Sequence, residues 1–187
     1  MDVKELLYAE INQMGISRIH KKLSESRENS IALIDELMDK CTIINESGLI
    51  STTDQLALAE SLTHYLLTTM MLPSQRKIKI GEIEISVIIP NFRNIKRNSE
   101  QVLLIQFIDS ESSDVQSIVS SLKALQPIHH NIWVISYLPV NVSGQIKNYC
   151  ISKSTKFERN DELQFSRIMY DAAAFVDKLN GFHFKVF

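Results

Sequence analysis

The spacing of apolar residues changes at Pro73, and that change commits the chain to helices first and a sheet afterwards. Upstream, Val3, Leu6, Leu7, Ile11 and Met14 recur about every 3.6 residues, the stripe of an amphipathic helix, with Gly15 as its stop. Ile16, Ile19 and Leu23 predict a second short helix. Ile31, Ile34, Leu37 and Met38 predict a third, beyond the polar residues 24–30. Residues 42–50 place Asn45-Glu46-Ser47-Gly48 between two apolar pairs and read as a small hairpin or an extended connector. Thr52 and Gln55 suit a capping box, in which each side chain serves an otherwise unpaired backbone N–H. Leu56, Ala59, Leu62, Leu66 and Met70 then form the buried stripe of a helix that Pro73 ends.

Downstream the period is two. Lys77-Ile78-Lys79-Ile80 and Glu82-Ile83-Glu84-Ile85 alternate charge with isoleucine around Gly81, the pattern of a half-buried antiparallel pair. The second strand runs on into Val87-Ile88-Ile89, stopped by Pro90, and Val102 to Ile108 is apolar enough for the middle of a sheet. Ser113 and Gln116 suggest a second capping box, followed by a helix on Val115, Ile118, Val119, Leu122 and Leu125 and a buried strand at Ile132-Trp133-Val134-Ile135. Strand, helix, strand in that order predicts a parallel pairing. Residues 143–150 read as one or two helical turns and residues 151–157 as a short edge strand. Asn160 is the expected cap of a last helix buried through Phe165, Ile168, Met169, Ala172, Ala173, Val176 and Leu179, with Asn180-Gly181 as its stop. Phe182, Phe184 and Val186 then alternate as a final strand would.

The 187 residues suffice for a real core, and 44% apolar with 22% charged residues is an ordinary globular balance. No apolar run reaches the roughly 18–20 residues of a membrane span, and the first residues lack the apolar segment of a signal peptide, so a cytoplasmic protein is expected. Cys41 and Cys150 stand far apart, outside any C-x-x-C pair, which favours two buried thiols over a disulfide or a zinc site. Charge is uneven: residues 1–72 carry 6 Lys/Arg against 11 Asp/Glu, whereas residues 73–187 carry 14 against 11. The basic excess, densest in residues 76–97, makes the second half the expected face for an anionic partner.

The order helix, β-hairpin, buried strand, helix, buried strand over residues 55–139 resembles the core of the PD-(D/E)xK nucleases, the restriction-endonuclease-like superfamily. The resemblance implies an α/β fold with a small mixed sheet flanked by helices. It also implies an Asp on the second strand and a Glu-x-Lys on the third, which hold a divalent metal and help activate water. Laid on this chain, those positions fall on Ser86, Gln106 and Ile108, none of which carries the expected group. Gln106 keeps the shape of a Glu without its charge. The resemblance therefore implies a pseudonuclease with no catalytic residues, metal or cofactor.

The expected organisation is a helical segment over residues 1–50 and a nuclease-like domain over residues 51–187. The expected function is a non-catalytic nucleic-acid-associated or scaffolding protein, with DNA or RNA met by Lys77, Lys79, Phe92, Arg93, Lys96 and Arg97. These combine phosphate-seeking charge with one ring for stacking a base. The bland readings are a solvated loop for the latter four and cross-strand charge pairs with Glu82 and Glu84 for the two lysines. Two alternatives stand beside this: a protein-interaction subunit or homodimer with no nucleic acid, and a divergent metal-dependent nuclease drawing on Glu84 and Asp109. His129-His130 reads as a solvated loop, since no further ligand lies at metal spacing. Gly15 with Arg18, Lys21 and Lys22 has the outline of a helix-turn-helix, opposed by the acidity of its surroundings.

Overall fold

In the computed structural model, residues 2–44, 48–112, 114–142, 145–153 and 162–183 are described. Helices α1 (Val3–Met14), α2 (Ile16–Glu25) and α3 (Asn29–Thr42) fall where the apolar stripes put them. Gly15 separates the first two at φ 87°, a left-handed value that glycine reaches without a Cβ penalty. Strands β1 (Ile43–Ile44) and β2 (Gly48–Leu49) form the small antiparallel hairpin. Helix α4 (Thr52–Thr69) starts one residue earlier than the capping box predicts. Its cap is Ser51, whose Oγ accepts from the Asp54 N–H at 3.0 Å, while Gln55 Nε2 donates back to Ile50 O at 3.1 Å.

Strands β3 (Gln75–Ile80) and β4 (Ile83–Ile89) pair antiparallel around Gly81 at φ 61°. Strand β5 (Leu103–Phe107) pairs antiparallel with β4. Helix α5 (Val115–Leu125) then crosses to β6 (Ile132–Ser136), parallel to β5. Ser113 lies outside the described residues, and Gln116 reaches Asn141 O at 2.7 Å rather than the helix start. Strands β7 (Lys147–Cys150) and β8 (Glu162–Gln164) continue in parallel, giving the order β3-β4-β5-β6-β7-β8.

The C-terminal third departs from the expectation. Residues 147–150 are a central strand, not a helical turn, because Asn148 is satisfied inside the sheet. Its Oδ1 accepts from the Val140 N–H at 2.8 Å, and its Nδ2 donates to Val134 O and Ser136 Oγ at 3.3 and 2.9 Å. The edge strand is β8, so residues 151–153 are not a strand, and 154–157 lie outside the described residues, as does Asn160. Helix α6 (Ile168–His183) begins after a 3-10 turn, Phe165–Arg167. It runs through Asn180-Gly181, so Phe182 and His183 belong to a helix and not to a strand; residues 184–187 lie outside the described residues.

The sheet separates two cores. One face packs Val87, Ile89, Leu103, Ile105, Trp133 and Tyr149 against α1, α3, α4 and α6, so the helices of residues 1–50 share a core with the sheet. The other carries Ile85, Ile88, Leu104, Ile132 and Val134 under α5. Each large aliphatic side chain taken fully out of water contributes about 1.5–3 kcal/mol before entropy is counted. Ile85 and Val87, two residues apart, face opposite cores. A regular strand would put them on one face, so β4 is irregular at Ser86. Among the described residues no helix is long and apolar enough to cross a membrane.

Candidate functional site at the Ser86 junction

Ser86 is where the sheet loses its regular ladder on both sides. Toward β5 the register runs Ile89↔Leu103, Ile88↔Leu104, Val87↔Ile105 and stops. Side chains then replace the backbone ladder. The Ser86 N–H donates to Gln106 Oε1 at 3.2 Å, and the Phe107 N–H donates to Ser86 Oγ at 3.3 Å. Gln106 Nε2 reaches Phe107 O at 3.4 Å. Toward β3 the register passes from Arg76↔Val87 to Ile78↔Ile85 and skips Lys77, which lies at φ 50°. Ser86 is buried and Gln106 half-buried.

Helix α4 lays two further side chains on this junction. Glu60 Oε1 is 3.7 Å from Lys77 Nζ and 4.0 Å from His64 Nε2. Burial holds the His64 pKa below its ordinary 6.5; Glu60 opposes that shift, the Arg76 and Lys77 charges add to it, and the Ser86 backbone opposes it. His64 is therefore a neutral imidazole at pH 7, and among the described residues its buried Nε2 has no hydrogen-bond partner. The junction gathers one carboxylate, one imidazole, a hydroxyl, an amide and one ammonium. Among the described residues no three His, Cys, Asp or Glu side chains converge as metal ligands do.

The sequence register puts Ser86 and Gln106 at the expected acidic positions of the second and third strands; their contact, and the shares of Glu60 and His64, come from the structure. Glu60 and His64 stand four apart on the helix that enters the hairpin, which puts them on one face, but that spacing does not direct the face to Ser86. Ile108 is buried in the core under α5, and its N–H donates to Ile135 O at 2.9 Å.

The six residues expected to meet nucleic acid fall in different settings. Arg93, Lys96 and Arg97 are exposed on the loop after β4. That loop is tied to the start of β3 by the Phe92 N–H, which donates to Gln75 Oε1 at 2.7 Å. Phe92 itself is half-buried against the α5-side core. Lys77 belongs to the junction through Glu60. Lys79 stands directly across from Glu84 on the exposed hairpin, the cross-strand arrangement its alternation predicts. Asp109 is exposed, and its Oδ1 accepts from the Glu111 N–H at 3.0 Å, closing a turn. His129 and His130 lie in a 3-10 turn, with His130 O accepting from Trp133 Nε1 at 3.2 Å. In the N-terminal helices Lys22 is spent on Glu36, at 3.8 Å.

An N-terminal helical layer, an antiparallel hairpin feeding a buried strand, and a parallel crossover make this a restriction-endonuclease-like fold. The restriction endonuclease PspGI, solved with its substrate DNA, superposes with a TM-score of 0.61 at 13% identity, over 95% of this chain and 94% of that one. Metal-depleted Ecl18kI in complex with uncleaved DNA superposes with a TM-score of 0.51 at 12% identity, over 96% of this chain and 80% of that one. Its complex with uncleaved, modified DNA gives 0.52 at 12% identity. No family model matches the sequence, and no curated protein does.

Proposed function

We propose that this chain is a nucleic-acid-binding protein on a nuclease-type fold that does not cleave its ligand through a metal. The observation that carries this is the use made of Ser86 and Gln106. At the two strand positions where the resemblance implies acidic metal ligands, neutral side chains are consumed in holding the strands together. Mg²⁺ takes hard, charged oxygen ligands in near-octahedral geometry. Here one carboxylate, Glu60, is already paired with Lys77, and the amine expected two residues after Gln106 is the buried Ile108. This donor set does not fit Mg²⁺. What remains is a scaffold with the fold of endonucleases solved with DNA, carrying three exposed cations on one loop, at Arg93, Lys96 and Arg97.

The test is fluorescence anisotropy with labelled single-stranded, double-stranded and branched DNA and single-stranded RNA, at two salt concentrations with Mg²⁺ present. Binding that weakens as salt rises, with intact DNA recovered, supports the reading, because phosphate contacts release counterions. Charge reversal at Arg93, Lys96 and Arg97 then reduces affinity and flattens the salt slope by about one per lost contact. Cleavage that depends on Mg²⁺ or Mn²⁺ overturns the non-catalytic part. No binding at micromolar protein overturns the rest and favours the interaction-subunit alternative.

A further inference from the structure

Between α1, α2, α4 and β3 lies a cleft of about 510 Å³, whose lining does not include Arg93, Lys96 or Arg97. Its wall is chemically one-sided. Lys4 on α1, His20 on α2, His64 on α4 and Arg76 on β3 supply the basic groups, hydroxyls from α4 supply most of the rest, and among the described residues no carboxylate lines it, Glu60 standing behind His64 at 4.0 Å. That is notable for its location, since residues 1–72 hold 11 Asp/Glu against 6 Lys/Arg. Neither Lys4 nor Arg76 forms an ion pair among the described residues. Arg76 is instead anchored by one Nη, which donates to Thr68 Oγ1, and the rest of its donor fork is left for a ligand. Tyr8, 57% exposed, offers a ring in the same wall.

Two uncompensated cations beside hydroxyls recognise a compact oxyanion, and a guanidinium fork matches the oxygens of a phosphate in particular. An exposed tyrosine beside it is a surface on which a base can stack. The volume falls in the usual range for small-molecule sites, roughly 300–1,000 Å³. We propose that this cleft binds a nucleotide, with its phosphate between Lys4 and Arg76 and its base against Tyr8. The phosphate belongs either to a free mononucleotide or to the 5′-phosphorylated end of a strand.

The experiment is isothermal titration of the full chain with five probes: inorganic phosphate, adenosine 5′-monophosphate, adenosine, a short 5′-phosphorylated oligonucleotide and its unphosphorylated twin. The expected result is that phosphate binds weakly, the monophosphate binds more tightly, and adenosine does not bind. Arg76→Ala weakens the monophosphate about tenfold, the loss of one charge-assisted contact. Lys4→Ala, on a different element, has a similar effect, and Arg76→Lys falls between Arg76→Ala and the unaltered chain because it keeps charge without the fork. Tyr8→Ala brings the monophosphate down to the affinity of inorganic phosphate and leaves phosphate itself unchanged. Preference for the 5′-phosphorylated strand over both its twin and the monophosphate assigns the phosphate to a strand end and supports the site. The triple charge reversal at Arg93, Lys96 and Arg97 leaves monophosphate binding intact, so a failure of the DNA-binding reading is separable from a failure here. Equal binding of adenosine and its monophosphate, no binding of either at millimolar concentration, or unchanged affinity in both Arg76→Ala and Lys4→Ala overturns the proposal.

Discussion

If Ser86 and Gln106 replace ladder hydrogen bonds, then Gln106→Leu must destabilise the fold. The substitution keeps comparable bulk but leaves the Ser86 N–H without an acceptor, in a residue only 7% exposed. A buried donor stranded in this way costs about 1–3 kcal/mol. The bond it loses is 3.2 Å long, at the far end of the usual range, so the lower half of that interval applies, about 1–2 kcal/mol. For a chain of 187 residues, each kcal/mol moves the melting temperature by about 2–4 °C, giving an expected fall of about 2–8 °C. Ser86→Ala strands the Phe107 N–H and lowers the melting point comparably, whereas Ser86→Thr retains the hydroxyl and recovers most of it. Thermal and urea unfolding followed by circular dichroism read all three. Wild-type midpoints for Gln106→Leu and Ser86→Ala together, or a Ser86→Thr as damaging as Ser86→Ala, would refute the ladder argument and with it the main support for a non-catalytic junction.

Three further outcomes are expected. His64 has its folded-state pKa depressed by burial, so the unfolded chain takes up the proton first as pH falls. Its contribution is therefore present above pH 6.5 and lost below it, and His64→Asn should flatten that acid-side slope in unfolding midpoints measured from pH 5 to 8. Tyr149 donates to Asp171 Oδ2 at 2.8 Å, and burial holds its pKa far above the ordinary phenol. Tyr149→Phe leaves that carboxylate to Arg167 alone and should cost about 1.5–3 kcal/mol by urea unfolding. Cys41 and Cys150 are free and buried, their thiols pushed up by burial to about 11 and about 12. Both should resist iodoacetamide at pH 8 in the folded chain and react promptly in guanidinium, read by intact mass.

The hairpin and the two strands beside it could be read from the sequence because their side chains alternate or are uniformly apolar. Gly81 marked the turn, and the run at Val102–Ile108 marked the buried middle. Strand β7 could not, since Lys147, Asn148, Tyr149 and Cys150 have no such pattern. Asn148 is tolerated there only because Val140, Val134 and Ser136 satisfy it, and those partners are brought together by the fold. Strand β8 has three residues and carries too little pattern to register. At the junction, Ser86 and Gln106 were legible from strand order. The share of Glu60 and His64 was not, because it depends on how α4 lies across the sheet. The half-buried packing of Phe92 against the α5-side core was likewise not legible from its place beside Arg93.

The left-handed residue at Lys77 has a consequence for the exposed edge of the sheet. A sheet that ends in a straight strand presents evenly spaced donors and acceptors on which another copy can build. Strand β3 breaks that spacing in its middle with one left-handed residue, and it sets Arg76, Lys77 and Lys79 along the broken line as like charges that a second β3 would have to meet. At the opposite margin β8 offers three residues, too short a template to hold a neighbour. Among the described residues neither border of the six-stranded sheet offers an even ladder on which a further strand would build cheaply.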